Sequence, residues 1–580
     1  MAVSNDRPLR AWPAAILSRR SRVVVTKRKS ARAGRFLASA IDGFAIRRQT
    51  TCISRSLPIP WSMPVETELK LELHPDDLPR LLEHALLRAQ PAHRERLFNT
   101  YFDTSTLALR AQRMAVRERR VGRRTLLTVK TAGTSVGGLS RRGEWEAVCR
   151  PGQFDFAALV DDEALAPQLT QVAWQLVPVF RTDFTRRSWT VRHGEAVVEL
   201  ALDQGFITTG TAGGGPRQRI LELELELKSG PVDALFDLAH TLALGPTGQA
   251  ANGLRLLPAQ RSKAERGYAL FSGERLQPVK ASPIALEVDM HPVLAFRAVA
   301  LDCLAHLQAN ERGVWPPGPD GHLPEPEFLH QCRVALRRLR TALRVFRGHL
   351  PRRFVAHWSS EWRLVARVLG GARDWDVFVT ERLADWNVAS GDGAGPPADF
   401  LAHVHALRLD AGRRAADVLG GSAHALRLLA FTRAVFALGA VDPGPSRRPL
   451  AAWARGAVRE RHLALAKAAR VARRAGPEGR HALRIVLKKL RYAQELLASV
   501  LPSKEVARST AMLTDAQALL GHLNDLSTAQ ALLAALPPRL AGAWVQRWQE
   551  ALAEELRLEL PKLPAMERAL ERTERRCGDR

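Results

Sequence analysis

Residues 65–73 read VETELKLEL, with Glu66, Glu68, Lys70 and Glu72 at every second position and mostly apolar residues between them. That is the period of a β-strand. The pattern returns in LELELELK at 221–228, where Glu222, Glu224, Glu226 and Lys228 share a face. Similar runs predict strands at 97–103, 114–120, 125–131, 143–149, 183–192 and 195–203, several of them separated by clusters such as AGTSVGG and TTGTAGGGP. Helices are expected over 76–89 and 231–244. So many antiparallel strands predict a closed barrel or a strongly curved sheet.

From residue 285 onward the period becomes helical, and Ala, Leu and Arg dominate. This region repeats itself. HQCRVALRRLR begins at His330 and HALRIVLKKLR at His481; LGGARDWD begins at Leu369 and LGHLNDLS at Leu520, and both offsets are 151. Two motifs at one offset predict a duplicated helical unit. On a helix His330, Arg333, Arg337, Arg340, Arg344 and Arg347 form one stripe, while Cys332, Leu336, Leu339, Leu343 and Phe346 form another that packs inward. In the second copy His481, Arg484, Lys488 and Arg491 are the basic stripe and Leu483, Leu487 and Leu490 the apolar one. Ordinary helix faces dilute like charges with acids, because like charges one turn apart repel. A stripe this pure in both copies favours anion binding over a merely solvated face.

Charge sharpens this division. The 580-residue chain carries a net charge of +27. Residues 1–62 hold 13 bases and 2 acids, and residues 63–275 hold 28 bases and 26 acids. Most of the excess is therefore in the first segment and the helical region, which suggests a polyanionic partner. Residues 1–62 read as a basic extension, disordered or preceding a true start at Met63. No apolar run reaches the ~18 residues of a membrane span. The 5 cysteines form no CxxC pair, which fits a reducing compartment and excludes a cysteine zinc site.

On the strands, Arg117 and Arg119 share a face, as do Thr128 with Lys130, Glu144 with Glu146, and Glu199 with Ala201 and Asp203. Turned inward, these faces would line a barrel with carboxylates and cations together, which is costly unless they pair or hold something. A divalent metal beside Lys and Arg is one way to hold a phosphate chain. Turned outward, they would make the salt-bridged surface of an ordinary sandwich. Periodicity leaves both open.

The set ETELK, YFDT at 101–104, VRER at 116–119, LTVK at 127–130, FRTDFTRRSW at 180–189, ELALDQG at 199–205, LELELELKSG at 221–230 and SKAERGY at 262–268 resembles the CYTH family of triphosphate tunnel metalloenzymes. The resemblance implies an eight-stranded antiparallel β-tunnel over 63–275. It marks Glu66, Glu68, Asp203, Glu222 and Glu224 as metal carboxylates for Mg²⁺ or Mn²⁺, the two acidic strands facing each other across the tunnel. It marks Lys70, Arg117, Arg119, Lys130, Arg186 and Lys263 as cations that hold a triphosphate, with Glu66, Glu68 and Lys70 at the chemistry and Arg142 and Glu144 in the tunnel. HQCRVALRRLR, GARDWDV at 371–377, HALRIVLKKLRY and GHLND at 521–525 resemble the CHAD family, an all-α bundle of two related halves. That implies polyphosphate contacts at His330, Arg333, Arg337, Arg340, His481, Arg484, Lys488 and Arg491. Asp374 and Asp525 are expected to brace the basic helices.

The sequence thus predicts an α+β two-domain protein: a tunnel, a linker at 276–287, and a duplicated helical domain over 288–580. The expected activity is metal-dependent hydrolysis of inorganic triphosphate, in the cytoplasm and with a place at polyphosphate granules. The alternatives are a non-catalytic polyphosphate-binding protein and a triphosphatase for nucleoside or thiamine triphosphate. No Walker loop, GxSxG elbow or nucleic-acid recognition motif is present, so no nucleic-acid partner is expected.

Overall fold

The computed structural model describes residues 65–578 apart from 211–213, 315–324, 390–394, 440–448 and 541. The basic extension expected at 1–62 lies outside the described residues.

Ten strands form one antiparallel sheet: β1 (Val65–Leu73), β2 (His93–Asp103), β3 (Ala115–Val121), β4 (Arg124–Lys130), β5 (Thr134–Val136), β6 (Leu139–Cys149), β7 (Val177–His193), β8 (Ala196–Thr209), β9 (Arg217–Ser229) and β10 (Leu256–Pro258). Their order is β10–β1–β9–β8–β7–β2–β3–β4–β6–β5, and β6 also pairs with β1. That last pairing closes eight strands into a barrel. One strand makes the seam: β6 pairs with β1 over Leu139–Gly143 and with β4 over Glu144–Cys149.

The barrel carries its charged residues inside and its apolar residues outside. Leu69, Leu71, Leu200, Leu202, Leu223 and Leu225 are fully buried on its outer face, under helix α1 (Asp233–Ala243) and beside Leu426 and Leu429. The alternating charged residues therefore point inward. Burying these leucines outside, at ~25 cal/mol per Å² of apolar surface, supplies the driving force that a charged lining cannot. Helix α2 (Lys263–Phe271) enters one end. A capping box between Ser262 and Glu265 fixes its start, and Tyr268 packs edge-on against Phe180, itself stacked on Tyr101.

The second region is helical: α3 (Pro292–Glu311), α4 (Pro326–Val345), α5 (Arg352–Val377), α6 (Ala398–Gly420), α7 (Ser422–Ala437), α8 (Leu450–Leu496), α9 (Ser503–Ala534), α10 (Ala543–Glu559) and α11 (Leu563–Gly578). The duplication shows in the boundaries. α4 ends at Val345 and α8 at Leu496, and α5 begins at Arg352 and α9 at Ser503, each 151 residues on. The copies differ where α3 and α4 are separate helices but α8 runs unbroken for 47 residues. Both apolar stripes are core: Cys332, Leu336, Leu343, Phe346, Leu483, Leu487 and Leu490 are 0% exposed. Among the described residues one stretch, Pro292–Val314, is long and apolar enough to cross a membrane. Here Phe296, Val299, Cys303 and Leu307 of that stretch pack into the helical core.

Candidate functional site: a salt-bridged tunnel and a basic seam

The tunnel lining is a network of opposite charges. The Lys70 ammonium lies 2.9 Å from Glu68 and 3.4 Å from Glu224. Burial and Arg142 push this ammonium down, but the two carboxylates outweigh them and hold it above the usual lysine range. Arg142 donates to Glu66 at 3.2 Å and Glu68 at 2.8 Å. Lys130 lies 3.0 Å from Glu66 and 2.7 Å from Glu144. Burial raises the Glu66 carboxyl, yet Lys130 and Arg142 hold it far below the usual range. Glu144 ends up above its usual value, because burial is opposed by Lys130 but reinforced by Glu66. Arg117 reaches Thr128 at 3.2 Å and both Glu144 and Glu146 at 3.5 Å. Arg119 donates to Asn99 at 2.9 Å, and burial beside Arg117 lowers it to about 10.

A second cluster surrounds Lys263. Its ammonium lies 2.7 Å from Asp203 and 3.0 Å from Glu224, and it also contacts Glu222. Arg186 forks onto Asp203 at 2.8 and 2.7 Å and reaches Glu224 at 2.6 Å. The three carboxylates are buried and offer ligand atoms within 4.8 Å of one another. Three hard anionic oxygens in this arrangement fit Mg²⁺ or Mn²⁺. Burial pushes the Lys263 ammonium down, but Asp203, Glu222 and Glu224 outweigh it and hold the ammonium far above its usual value. It stands among the same carboxylates that would hold the ion.

The structure corrects one expectation. The acidic strands do not face each other across the tunnel; β1 and β9 are hydrogen-bonded neighbours, with Lys70 opposite Glu224, Glu68 opposite Glu226 and Glu72 opposite Glu222. Like charges directly opposite are unfavourable in a ladder. Arg142 beside Glu68, Arg266 and Lys263 beside Glu222, and Arg312 beside Glu72 offset them. The carboxylates accordingly fall into two groups. Asp203, Glu222 and Glu224 gather around Lys263, while Glu66 and Glu68 gather around Arg142, with Lys70 joining Glu68 to Glu224. Arg266, 2.9 Å from Glu222 and buried, was not singled out by the sequence. Its spacing three residues after Lys263 puts both on one helix face, and that was the readable signal. Asn99 and Thr182, bonded to each other at 2.8 Å, carry no charge and gave none.

In the helical region the two basic stripes meet. Arg337 of α4 lies over the Tyr492 ring of α8 at 4.9 Å. Arg333, Arg337, Arg484 and Lys488 feel one another's charge, with Asp374 and Asp525 offsetting part of it. Burial, then Arg484 and Arg337, lowers Lys488 to about 7. Arg484 donates to Asn524 at 2.7 Å and Arg491 to Gln517 at 2.7 Å. Arg340 sits apart, beside Arg363 and Arg344. His330 is half-buried near Arg373 and Arg337, and His481 is exposed. A run of arginines broken by one inward member explains Arg338: it is 0% exposed and pairs with Asp302 at 3.1 Å and Glu495 at 3.4 Å.

A closed tunnel lined with paired charges, followed by a duplicated bundle with a basic seam, defines a two-domain tunnel protein. Residues 64–252 match the CYTH domain and residues 298–534 the CHAD domain, so the chain carries a CYTH domain followed by a CHAD domain. Over 219 residues it is 34% identical to the inorganic triphosphatase of Haemophilus influenzae, a match spanning 36% of this chain and 56% of that protein's length. The CHAD domain of the plant Ricinus communis is 29% identical, with 51% of this chain and 96% of that one covered and a TM-score of 0.44. A Hippeastrum protein, a putative adenylyl cyclase with a dominant triphosphatase activity, is 19% identical, with 37% and 98% covered and a TM-score of 0.27.

Proposed function

We propose that the tunnel hydrolyses inorganic triphosphate with the help of a divalent metal, Mg²⁺ or Mn²⁺, and that the helical seam binds inorganic polyphosphate. The observation that carries the first part is the lining itself. Cations and carboxylates occupy one buried channel in matched contact, so each cation has an anion it can exchange for a phosphate oxygen. The 34% identity to a protein named inorganic triphosphatase supports the same reading.

On this reading Asp203, Glu222 and Glu224 hold the ion. When bound, it neutralises phosphate oxygens as charge builds on the leaving group. Lys70, Arg117, Arg119, Lys130, Arg186 and Lys263 turn from carboxylates to the phosphate chain and fix it along the tunnel. Glu66 and Glu68, released by Lys130 and Arg142, then accept hydrogen bonds from the attacking water. The seam of Arg333, Arg337, Arg484 and Lys488, extended by His330, Arg340, His481 and Arg491, takes longer chains, through charge contacts that release counterions. The cytoplasm, and polyphosphate granules within it, supply both ligands, and the unpaired cysteines Cys149, Cys303 and Cys332 suit such a reducing place.

The double variant Arg337→Glu with Lys488→Glu tests the division of labour. Retention on long polyphosphate should drop at least tenfold while hydrolysis of short triphosphate stays near that of the parent chain. Retention that survives, or loss of both properties in a folded protein, contradicts it.

A further inference from the structure

The outer face of the tunnel is not covered everywhere. Along β8, Leu202 lies outward beneath helix α1, and the next outward residues are Gln204, Phe206 and Thr208. Here the leucines stop. The strand register places Arg120, Phe98, Asp183, Phe206 and Arg219 directly opposite one another across β3, β2, β7, β8 and β9. The next row holds Arg181, Thr208 and Arg217, and the row on the other side Arg96, Thr185 and Gln204.

This face is aromatic as well as basic. Phe206 is 40% exposed. The Arg217 guanidinium lies over its ring at 4.8 Å, and Arg120 and Arg181 lie over Phe98 at 5.3 and 6.0 Å. The acids at this face are Asp183, forked by Arg96 at 3.0 and 2.6 Å, Glu118, which accepts from the Gly152 backbone, and Glu95, which lines the depression in its middle together with Arg94. A depression of about 520 Å³ between Arg96, Asp183, Gln204 and Phe206 opens in its middle. Gln204 lines it, and among the described residues the buried Nε2 of Gln204 has no hydrogen-bond partner. The depression itself balances Arg94 and Arg96 with Glu95 and Asp183, so the excess positive charge of the face lies around it, at Arg120, Arg181, Arg217 and Arg219.

We propose that this five-strand face binds single-stranded nucleic acid. Phosphates pair with the arginines, and bases stack on Phe206 and on the guanidinium-covered Phe98. Polyphosphate has no use for exposed rings. The cations of the face are arginines, whose planar heads stack where lysine's do not. Phe98 and Phe206 lie two strands apart, about 10 Å, so both rings fall within one short oligonucleotide. No sequence motif points to this, because five separate strands assemble the face.

The test is fluorescence anisotropy of the full chain with a labelled oligouridylate of about twelve nucleotides, within the span such sheet platforms cover. Arg217→Glu and Phe206→Ala should each weaken binding about tenfold, while Lys488→Glu in the helical seam leaves it unchanged. Triphosphate hydrolysis by the two face variants should stay intact, which also shows that they are folded. No binding by the parent chain overturns the proposal. So does binding that Lys488→Glu removes, or binding that Arg217→Glu weakens but Phe206→Ala does not, the mark of a base-free polyanion.

Discussion

The Lys263 ammonium lies 2.7 Å from the Asp203 carboxylate, inside the three-carboxylate group that suits a divalent ion. A lysine and a metal ion cannot share that space. Metal binding then requires Lys263 to swing out, and a triphosphate offers it somewhere to go. Metal and triphosphate should bind cooperatively, each strengthening the other by the same factor. Replacing Lys263 with Met removes the competitor. Titration calorimetry with Mn²⁺ alone should show at least tenfold tighter binding in Lys263→Met, while hydrolysis falls. Equal Mn²⁺ affinity in the two chains would contradict the exchange.

Glu224 joins the two halves of the network, touching Lys70, Lys263 and Arg186. Glu224→Gln keeps the shape but removes the charge. Turnover at saturating Mg²⁺ should fall at least ~100-fold, about 3 kcal/mol of transition-state stabilisation. Breaking a buried ion pair on one side costs ~3–5 kcal/mol, so the variant should also melt earlier, and triphosphate without metal should restore part of the loss. Turnover within threefold of the parent would remove Glu224 from the metal site.

Gly267 on α2 has no room for a side chain. An added Cβ would stand 2.1 Å from the Phe180 ring, which is stacked on Tyr101. Gly267→Ala should therefore shift α2 and with it Lys263 and Arg266, lowering kcat at least tenfold in a protein whose helical content is unchanged. Wild-type kcat would show that α2 does not position the site.

How much of this was legible depended on the kind of signal. Alternation placed Glu66, Glu68, Glu222 and Glu224 on strand faces, and the 151-residue repeat placed Arg333 with Arg484 and Arg337 with Lys488. Alternation says which face a residue takes, not which strand lies next door. The pairing of β1 with β9 is set by closure of the barrel through β6, and no local pattern encodes it. The aromatic row on the outer face was hidden for the same reason. Within the helices, period 3.6 separated Leu336 from Arg337 correctly, but it could not tell that Arg338 is buried against Asp302 and Glu495.

Lys488 gives the seam a pH dependence. Its folded value of about 7 lies below the ordinary 10.5. Between these values the unfolded chain binds the proton and the folded chain does not. This residue's contribution to ligand-free stability therefore rises with pH across that window, and its penalty is full below about 7. A polyanion favours the charged form, so binding at about pH 8 should take up a proton. Calorimetry in two buffers of different ionisation enthalpy should show an uptake that Lys488→Met reduces by most of one proton. No difference between the two chains would remove Lys488 from the groove.

On the proposed reading, the tunnel is built for a free triphosphate chain. The measurement that tests it most directly is phosphate release from inorganic triphosphate, ATP, thiamine triphosphate and long polyphosphate, each with and without Mg²⁺. Inorganic triphosphate should give the highest kcat/KM, with turnover lost when the metal is removed. A higher kcat/KM for ATP, cyclic AMP as product, or turnover indifferent to metal would contradict it.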